Sequence, residues 1–541
     1  MHEGGHTRPA SLIGAEGEPA AEGPRRGDEP YNAAADLLER NLAAGRGGRP
    51  YLVTDERTWS YQEVAETAAA VGVGLRDLGL APGDRVLIAL RDRPEFVLTF
   101  WGALRAGLVP VPLAVGLSAD DVRFVIDDSE ARLVVCEPST AAAVLAVSAA
   151  STEAPAPRHA VALAASEGAP PAGVLPWSYL IAPGSTPPPE ATTADDPALW
   201  LYTSGTTGVP KAVVHRHAHL RAGTRALSAQ VIGLTSDDVV LSVSKMFFAY
   251  GLGNSVYQPA AVGAAVVVDD EPAVAARVEA RMHETRPTVL LGVPAFFRGM
   301  LALTDAELPP TARMVLSAGE ALSADLFEGF RARFGHTLLD GLGATEALHH
   351  VTSNRPDDAL PGTAGRALDG YAVEARSAEG EPLPDGEAGE LWLRGPTTFA
   401  GYWRRPELTA RAYRAGWMRT GDLVRIRDGR VYHEGRLDDL IKVGGVWVAP
   451  REIEDLLRTH QDVADAAVIE TDDGAGVPFL VAFVVSSRSD PSLRRELVRL
   501  CRARLAAYKV PRAFEVLDEL PRTPSGKLKR FALRGRAVRA K

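Results

Sequence analysis

Short apolar runs alternate with amphipathic stretches along most of this 541-residue chain, and this alternation restricts its fold more than any other feature. Residues 60–63 (SYQE) form a capping-box pattern, which predicts a helix that ends near Gly79. Residues 85–90 (RVLIAL) then predict a buried strand, and apolar residues at helical spacing in 96–104 predict a second helix. Strands that alternate with amphipathic helices indicate an α/β architecture.

The pattern changes beyond Gly362. Strand-like pieces such as residues 389–393 (GELWL) are separated by frequent Gly, Pro and Asp turns, which predicts a β-rich subdomain. Past Arg436, helix patterns at 450–457 and 493–505 alternate with strand patterns. This second change predicts a compact α+β unit of about 100 residues, a normal size for a domain.

These patterns together predict the domain organisation. A second α/β run covers residues 239–333, so we expect a large N-terminal domain of two layered α/β subdomains plus the β-rich subdomain. A small α+β domain is expected to follow it. The predicted division is a disordered tail at 1–29, an N-terminal domain at 30–436 and a C-terminal domain at 437–541.

Composition and charge exclude several classes of protein. Hydrophobic residues make up 46% and charged residues 24%, as in ordinary globular proteins. The net charge of −10 argues against nucleic acid or an anionic membrane as the main partner. No apolar run reaches membrane-spanning length and no signal-peptide pattern opens the chain, so we expect a cytoplasmic enzyme. Cys136 and Cys501 lie among apolar or helical residues and are expected to be buried thiols.

Residues 201–211 (LYTSGTTGVPK) combine four aliphatic hydroxyl side chains, two glycines and a lysine in one short loop. Apolar runs on both sides predict a strand, a loop and a strand. Glycine lets the backbone approach a ligand closely, and successive N–H groups can then point at an anion, which suits the phosphates of a nucleotide. The segment is not a Walker P-loop, because no Gly-Lys-Ser/Thr ends it. Taken alone, a surface turn would explain it better.

Five further segments follow this loop, and together they favour a phosphate-binding loop over a surface turn. They are residues 341–346 (GLGATE), 402–403 (YW), 420–422 (TGD), 435–445 (GRLDDLIKVGG) and 521–527 (PRTPSGK). In this order the six segments resemble the signature motifs of the adenylate-forming superfamily, which includes acyl-CoA synthetases, luciferases and the adenylation domains of peptide synthetases. The resemblance implies that a carboxylate is joined to the α-phosphate of ATP, with Mg²⁺, and is then transferred to a thiol.

The resemblance also implies roles for individual residues. The residues that it implies for nucleotide binding are Thr203, Ser204, Gly205, Thr206, Thr207, Gly208, Lys211, Gly341, Asp422 and Arg436. Catalysis falls to Thr345, Glu346, Lys442 and Lys527, and Glu346 is the expected magnesium ligand. The small domain is expected to rotate between the two half-reactions about a hinge at Asp438, with Gly444 and Gly445 along the thiol channel.

Other segments resemble the benzoate–CoA ligase branch, which implies an aromatic acid of the benzoate or cinnamate type. They are residues 245–254 (KMFFAYGLGN), 346–349 (EALH) and 442–450 (KVGGVWVAP). The aryl pocket implied by this resemblance is lined by Ala249, Tyr250, Gly251, Ala318, Gly319 and His349. His350 and Val351 depart from the branch, and this change suits a polar or substituted ring such as a hydroxybenzoate, an aminobenzoate or a cinnamate.

The thiol acceptor stays open at the level of the sequence. No carrier-like segment follows the last motif, so we expect the thiol of CoA or the phosphopantetheine arm of a separate carrier protein. Another nucleophile could also take the adenylate. A nucleotide-binding homologue without catalysis is the remaining alternative, against which Glu346, Asp422 and Lys527 argue together. The alternating His215, His217 and His219 are interpreted as structural residues rather than metal ligands.

Overall fold

The computed structural model describes residues 29–150, 159–162, 174–182, 184, 187–204, 210–443, 446–472, 478–522 and 528–537. The predicted tail therefore lies almost wholly outside the described residues. The division at residue 436 stays a prediction.

The first part of the chain builds an α/β layer around a parallel sheet. Its strands are β1 (Pro50–Val53), β2 (Thr58–Ser60), β3 (Arg85–Ala89), β4 (Val109–Pro112), β5 (Leu133–Cys136), β6 (His159–Ala162), β7 (Val174–Pro176), β8 (Pro197–Ser204) and β9 (Pro210–Arg216). Its helices are α1 (Arg40–Ala43), α2 (Tyr61–Asp77), α3 (Pro94–Arg105), α4 (Ala119–Ser129), α5 (Pro138–Ala150) and α6 (His217–Gly223). Five described strands form a parallel sheet in the order β4-β3-β5-β6-β7.

The next part repeats the α/β pattern. Its strands are β10 (Val239–Ser242), β11 (Ala265–Val267), β12 (Val289–Gly292), β13 (Met314–Ser317) and β14 (Leu338–Gly343). Its helices are α7 (Ala249–Leu252), α8 (Gln258–Val262), α9 (Ala275–Thr285), α10 (Pro294–Ala302) and α11 (Ala324–Phe334). These strands run parallel in the order β14-β13-β12-β10-β11-β1, and β2 closes the edge in antiparallel fashion.

The β-rich part continues this second sheet rather than forming a sheet of its own. Its elements are β15 (His350–Ser353), β16 (Arg366–Ala367), β17 (Ala372–Arg376), β18 (Ala388–Arg394), β19 (Gly401–Tyr402), α12 (Pro406–Ala412), β20 (Tyr413–Arg414), β21 (Trp417–Arg427) and β22 (Arg430–Arg436). Strand β15 pairs antiparallel with β14 and joins the two parts. Strand β19 instead pairs with β9 of the β8–β9 hairpin, which brings the Tyr402 segment back to the first loop.

The C-terminal part has its own small sheet and core. Its elements are β23 (Ile441–Val443), β24 (Val446–Val448), α13 (Pro450–Arg458), β25 (Asp465–Asp472), β26 (Pro478–Val485), α14 (Pro491–Arg504), β27 (Ala513–Leu517) and α15 (Arg530–Ala537). Among the described residues, β25, β26 and β27 form one sheet with apolar clusters on both faces. Together with the two larger sheets this confirms the predicted α/β class with a small α+β unit.

Local sequence explains why the first helices form and pack. The Ser60 side chain accepts from the Glu63 N–H and the Glu63 carboxylate accepts from the Ser60 N–H, which confirms the capping box. Helices α2 and α3 pack so closely that a Cβ at Gly102 would lie only 2.7 Å from the Ala68 carbonyl oxygen, which is why glycine is needed there. Phe96, Phe100 and Trp101 are fully buried between these layers. Burying such aromatic side chains stabilises the fold by roughly 1.5–3 kcal/mol each.

Two further expectations about the chain are answered by the structure. Cys136 and Cys501 are buried free thiols, as predicted. Within the described ranges, no helix is both long enough and apolar enough to span a bilayer.

Candidate active site

The carboxyl ends of β13 and β14 bring two predicted pocket residues beside the matched segment at 341–346. These strands are parallel neighbours in the sheet. Ala318 and Gly319 follow β13, whereas Thr345 and Glu346 lie in a 3-10 turn directly after β14. Ligands of α/β proteins bind at this edge of a parallel sheet, so predicted pocket and catalytic residues meet where a site is expected.

A charged network joins Lys211 to Glu346 through Tyr402. Lys211 Nζ donates to the Tyr402 hydroxyl at 2.6 Å, and this hydroxyl donates to Glu346 Oε1 at 2.7 Å. Lys211 Nζ also lies 3.5 Å from the same carboxylate oxygen. Thr203 stands opposite Lys211 in the β8–β9 hairpin, so the first loop is anchored beside this network. The sequence matched Tyr402 only as part of a motif, and its bridging position comes from the structure.

A second cluster surrounds Asp422 in the middle of β21. Arg436 Nη1 donates to Asp422 Oδ1 at 2.9 Å, and His433 Nε2 lies 3.2 Å from the same oxygen. Burial opposes ionisation of Asp422, but the hydrogen bonds and charges of His433 and Arg436 outweigh it and lower its pKa to about 2. The carboxylate is therefore ionised and can accept hydrogen bonds from vicinal hydroxyls. Asp438 lies 4.0 Å from Arg436 Nη2, at the end of the same network.

A buried histidine holds the turn that contains the predicted catalytic residues Thr345 and Glu346. His215 Nε2 donates to the Thr345 carbonyl oxygen at 2.8 Å, because a carbonyl can only accept. Its other ring nitrogen lies 3.2 Å from His219 Nδ1. The His217 Nδ1 accepts from the Ala33 N–H at 3.1 Å. The three alternating histidines thus make contacts within the protein, in agreement with their interpretation as structural residues, and the structure adds that His215 holds the Thr345 carbonyl.

The predicted aryl-pocket residues Tyr250 and His349 lie together, with ring centres 5.4 Å apart. His349 Nε2 lies 3.2 Å from Asn254 Oδ1 and 3.3 Å from the Tyr250 carbonyl oxygen. A Cβ at Gly251 would lie 2.1 Å from the Lys245 carbonyl oxygen, so only glycine fits there. Asn254, at the end of the matched segment 245–254, is a positioning residue that the sequence analysis did not list.

Asp340 is a buried carboxyl in the middle of β14. Its Oδ2 accepts from the Leu322 N–H at 3.2 Å, whereas no described residue hydrogen-bonds to Oδ1. Burial raises the pKa of Asp340 to about 7, and the Leu322 N–H and Arg451 offset only part of this effect. The carboxyl therefore gains and loses a proton near neutral pH.

We expect Asp340→Asn to stabilise the protein more at pH 8 than at pH 5. Between its unfolded pKa of 3.8 and its folded pKa of about 7, the folded chain binds a proton that the unfolded chain has lost. The free energy of unfolding of the unsubstituted protein therefore falls as the pH rises, by up to about 4 kcal/mol at 1.36 kcal/mol per pKa unit. Tm values of both proteins at the two pH values measure this. An equal Tm difference at both values would contradict it.

Several predicted site residues lie outside the described part of the chain. These are Gly205, Thr206, Thr207, Gly208, Gly444, Gly445 and Lys527, together with the side chains of Ser204 and Lys442. Their neighbours are described. Arg522 and Leu528 pair as an antiparallel bridge, and Arg522 forms ion pairs with Glu320 at 3.1 Å and Asp465 at 2.6 Å. Both ends of the Lys527 segment are thus anchored, and the Arg522–Glu320 ion pair ties it to the residue after Gly319.

Comparison with known proteins agrees with this geometry. The AMP-binding enzyme family matches residues 38–403, and the AMP-binding enzyme C-terminal domain matches residues 452–527. The chain is 39% identical to the 4-hydroxybenzoate–CoA/benzoate–CoA ligase of Rhodopseudomonas palustris, over 93% of this chain and 94% of that protein. It is 37% identical to the p-hydroxybenzoic acid–AMP ligase FadD22 of Mycobacterium tuberculosis, over 93% of this chain and 68% of that protein.

A solved structure gives the same result at the level of the fold. The anthranilate CoA ligase AuaEII, in complex with anthranoyl-AMP, superposes with a TM-score of 0.88 at 32% identity. The match covers 94% of this chain and 98% of that chain. The chain therefore belongs to the AMP-binding enzyme family, as an adenylate-forming acyl-CoA synthetase close to the benzoate–CoA ligase branch.

Proposed function

We propose that this enzyme joins an aromatic carboxylic acid of the benzoate type to AMP and then transfers the acyl group to the thiol of CoA. One observation carries the proposal: the turn with Thr345 and Glu346, which Tyr402 links to Lys211, is followed within a few residues by His349, whose ring lies beside that of Tyr250. Residues proposed to bind the nucleotide and a residue proposed to contact the aromatic ring therefore lie within one short chain segment, residues 345–349.

In the first half-reaction, a carboxylate oxygen attacks the α-phosphorus of ATP. The bond to the β-phosphate breaks, and pyrophosphate leaves with that electron pair. Two anions must meet, so positioning and charge neutralisation dominate the rate. Lys211 supplies positive charge to the phosphates, Thr345 contacts the α-phosphate, and the ionised Asp422 accepts hydrogen bonds from the ribose hydroxyls. Lys527 contacts the attacking carboxylate and the α-phosphate oxygen.

The residues around Glu346 fit a magnesium ion. Magnesium prefers oxygen ligands, and Glu346 Oε2 has no hydrogen-bond partner among the described residues, whereas Oε1 is held by Tyr402. Glu346 would therefore hold the ion, which when bound neutralises phosphate charge. The nearby Arg436 carries further positive charge, and its pKa is raised by Asp422, Asp438 and Glu346 in spite of its burial.

In the second half-reaction, a thiol attacks the acyl carbon of the adenylate. A carbon–sulfur bond forms, the bond to the AMP oxygen breaks, and the thiol proton passes to solvent. The small C-terminal domain turns about Asp438 to bring Lys442, Gly444 and Gly445 to this step. A second candidate acceptor is the phosphopantetheine arm of a carrier protein, because one relative is named as an acid–AMP ligase rather than as a CoA ligase.

Mass spectrometry of the products tests the proposed function directly. The purified enzyme is incubated with ATP, Mg²⁺ and a panel of aryl acids, with either CoA or a carrier protein as acceptor. We expect an aryl-adenylate without acceptor and an aryl-CoA thioester with CoA. A preference for long-chain or amino acids would overturn the aromatic assignment, and thioester on the carrier protein alone would favour the second candidate.

We expect Tyr402→Phe to slow pyrophosphate release by about 10- to 100-fold and to raise the Mg²⁺ concentration needed for half the maximal rate. A hydrogen bond to a charged group is worth about 1.5–3 kcal/mol, and 1.4 kcal/mol is a factor of ten. Tyr413→Phe is the matched control, because its hydroxyl donates to the Phe399 carbonyl rather than to Glu346. An unchanged Mg²⁺ dependence in Tyr402→Phe would contradict the positioning role.

A further inference from the structure

Three aromatic rings form a buried cluster at the predicted aryl pocket. The ring centres of Tyr250 and His350 are 5.4 Å apart, and those of His349 and His350 are 4.9 Å apart. The two imidazoles meet through their Nδ1 atoms at 3.0 Å. A Cβ at Gly341 would lie 2.7 Å from His350 Nε2, so this glycine makes room for the imidazole. His350 is therefore fixed within the cluster and does not face solvent.

The hydrogen bonds of the cluster determine where each proton lies. Burial lowers the pKa of His349 to about 4 and that of His350 well below its usual value, so both rings are neutral at pH 7. His349 Nε2 faces the Tyr250 carbonyl oxygen and must donate. His349 Nδ1 is then an acceptor, so His350 Nδ1 must carry the proton between them. This leaves His350 Nε2 without a proton, as an acceptor only.

This acceptor has no partner among the described residues, although it is fully buried. The Tyr250 hydroxyl is likewise buried without a hydrogen bond of normal geometry to any described group. Burial raises the pKa of Tyr250, an effect that the nearby Asn254 only partly offsets, so its hydroxyl stays protonated. Buried polar atoms are nearly always paired in native proteins, so two such atoms in contacting rings at the predicted aryl pocket point to a partner supplied by the ligand.

We infer that His350 Nε2 accepts a hydrogen bond from a ring substituent of the acid, and that the enzyme therefore selects aryl acids bearing a hydroxyl or an amino group. A phenolic hydroxyl can donate to His350 and accept from Tyr250, and an aromatic amine can donate to His350. An acceptor-only substituent, such as methoxy or fluoro, would place a lone pair against a lone pair. The inference rests on the proposed function and names the class of acid within it.

The test compares kcat/KM in ATP–pyrophosphate exchange for benzoate, its hydroxy and amino isomers, and the matching methoxy and fluoro isomers. At one ring position we expect the kcat/KM of the hydroxybenzoate or aminobenzoate to exceed that of benzoate and of the acceptor-only isomers by about tenfold or more. His350→Phe keeps an aromatic ring but removes the acceptor. In this variant we expect the ratio of kcat/KM for the donor-bearing acid to kcat/KM for benzoate to fall toward one. His283→Phe, a surface change in α9, leaves the ratio as it was.

A second readout does not depend on turnover or on one variant. Non-hydrolysable sulfamoyl analogues of the hydroxybenzoyl- and benzoyl-adenylates are titrated against the unsubstituted enzyme, and the hydroxyl-bearing analogue should bind about tenfold tighter. Equal kcat/KM for benzoate and every donor-bearing isomer, or an unchanged ratio in a folded His350→Phe, would overturn the inference while leaving the proposed function intact. If none of the aryl acids supported exchange, both the inference and the proposed function would be overturned.

Discussion

Replacing Lys527 with alanine should slow formation of the acyl-adenylate by about 10²–10³-fold, yet leave thioester formation from a preformed acyl-adenylate within a few-fold of the unsubstituted rate. The expected loss is that of one charged donor aimed at a reacting oxygen. In the proposed mechanism the lysine bridges the attacking carboxylate and the α-phosphate only in the first half-reaction. Pyrophosphate exchange measures the first half-reaction, and AMP release from synthetic acyl-adenylate with CoA measures the second.

Lys529→Ala is the control for this experiment, because it removes the same charge two residues away. The Lys529 backbone N–H donates to the Pro521 carbonyl, so the control lies in the same anchored segment. We expect it to be close to the unsubstituted enzyme in both assays. An equal loss in both half-reactions for Lys527→Ala would contradict the account in which the small domain presents different residues to each step.

Glu346→Gln should lower the rate of adenylate formation by about 100-fold or more at ordinary Mg²⁺ concentrations. The variant keeps an oxygen that can accept from Tyr402 but removes the negative charge that would hold a divalent cation. Because the side chain keeps its shape and this hydrogen bond, we expect the Tm to change little. Raised Mg²⁺ should restore part of the rate, which a purely structural defect would not allow.

Glu407→Gln provides the comparison for this variant, since Glu407 is an exposed carboxylate in the first turn of α12. It makes the same chemical change a few residues beyond Tyr402. Pyrophosphate release measured over a range of Mg²⁺ concentrations separates the two variants. If Glu346→Gln kept an unchanged Mg²⁺ dependence, Glu346 would not be the ligand.

Contiguous motifs explain why much of the candidate site could be proposed from the sequence. The loop at 201–211 and the segment at 341–346 each carry their chemistry within a few residues, so residue type and order suffice to recognise them. Period and capping likewise predicted α2, α3 and the small α+β unit, because helix and strand formation depends on local pattern. The β-rich part was recognised as strands, but its continuity with the second sheet depends on the β14–β15 pairing.

Contacts between distant segments could not be predicted in this way. Tyr402 bridges Lys211 and Glu346, which lie 191 and 56 residues from it, and His215 holds the Thr345 carbonyl from 130 residues away. Such contacts are decided by how the sheets pack, and no local pattern encodes them. From the sequence Tyr402 was only one member of a motif, whereas its contacts with Lys211 and Glu346 identify it as a positioning residue.

The pair His349 and His350 shows most plainly what the sequence determines and what only the tertiary structure decides. The sequence by itself determined that two imidazoles are adjacent at 349 and 350, beside a segment typical of an aryl pocket. Strand geometry would send neighbouring side chains to opposite faces of the sheet. In the folded chain Leu348 has a φ of +66° and β15 begins only at His350, so this irregular turn brings both rings together. Only tertiary packing then buried them, fixed their protons and left one nitrogen free to accept a hydrogen bond.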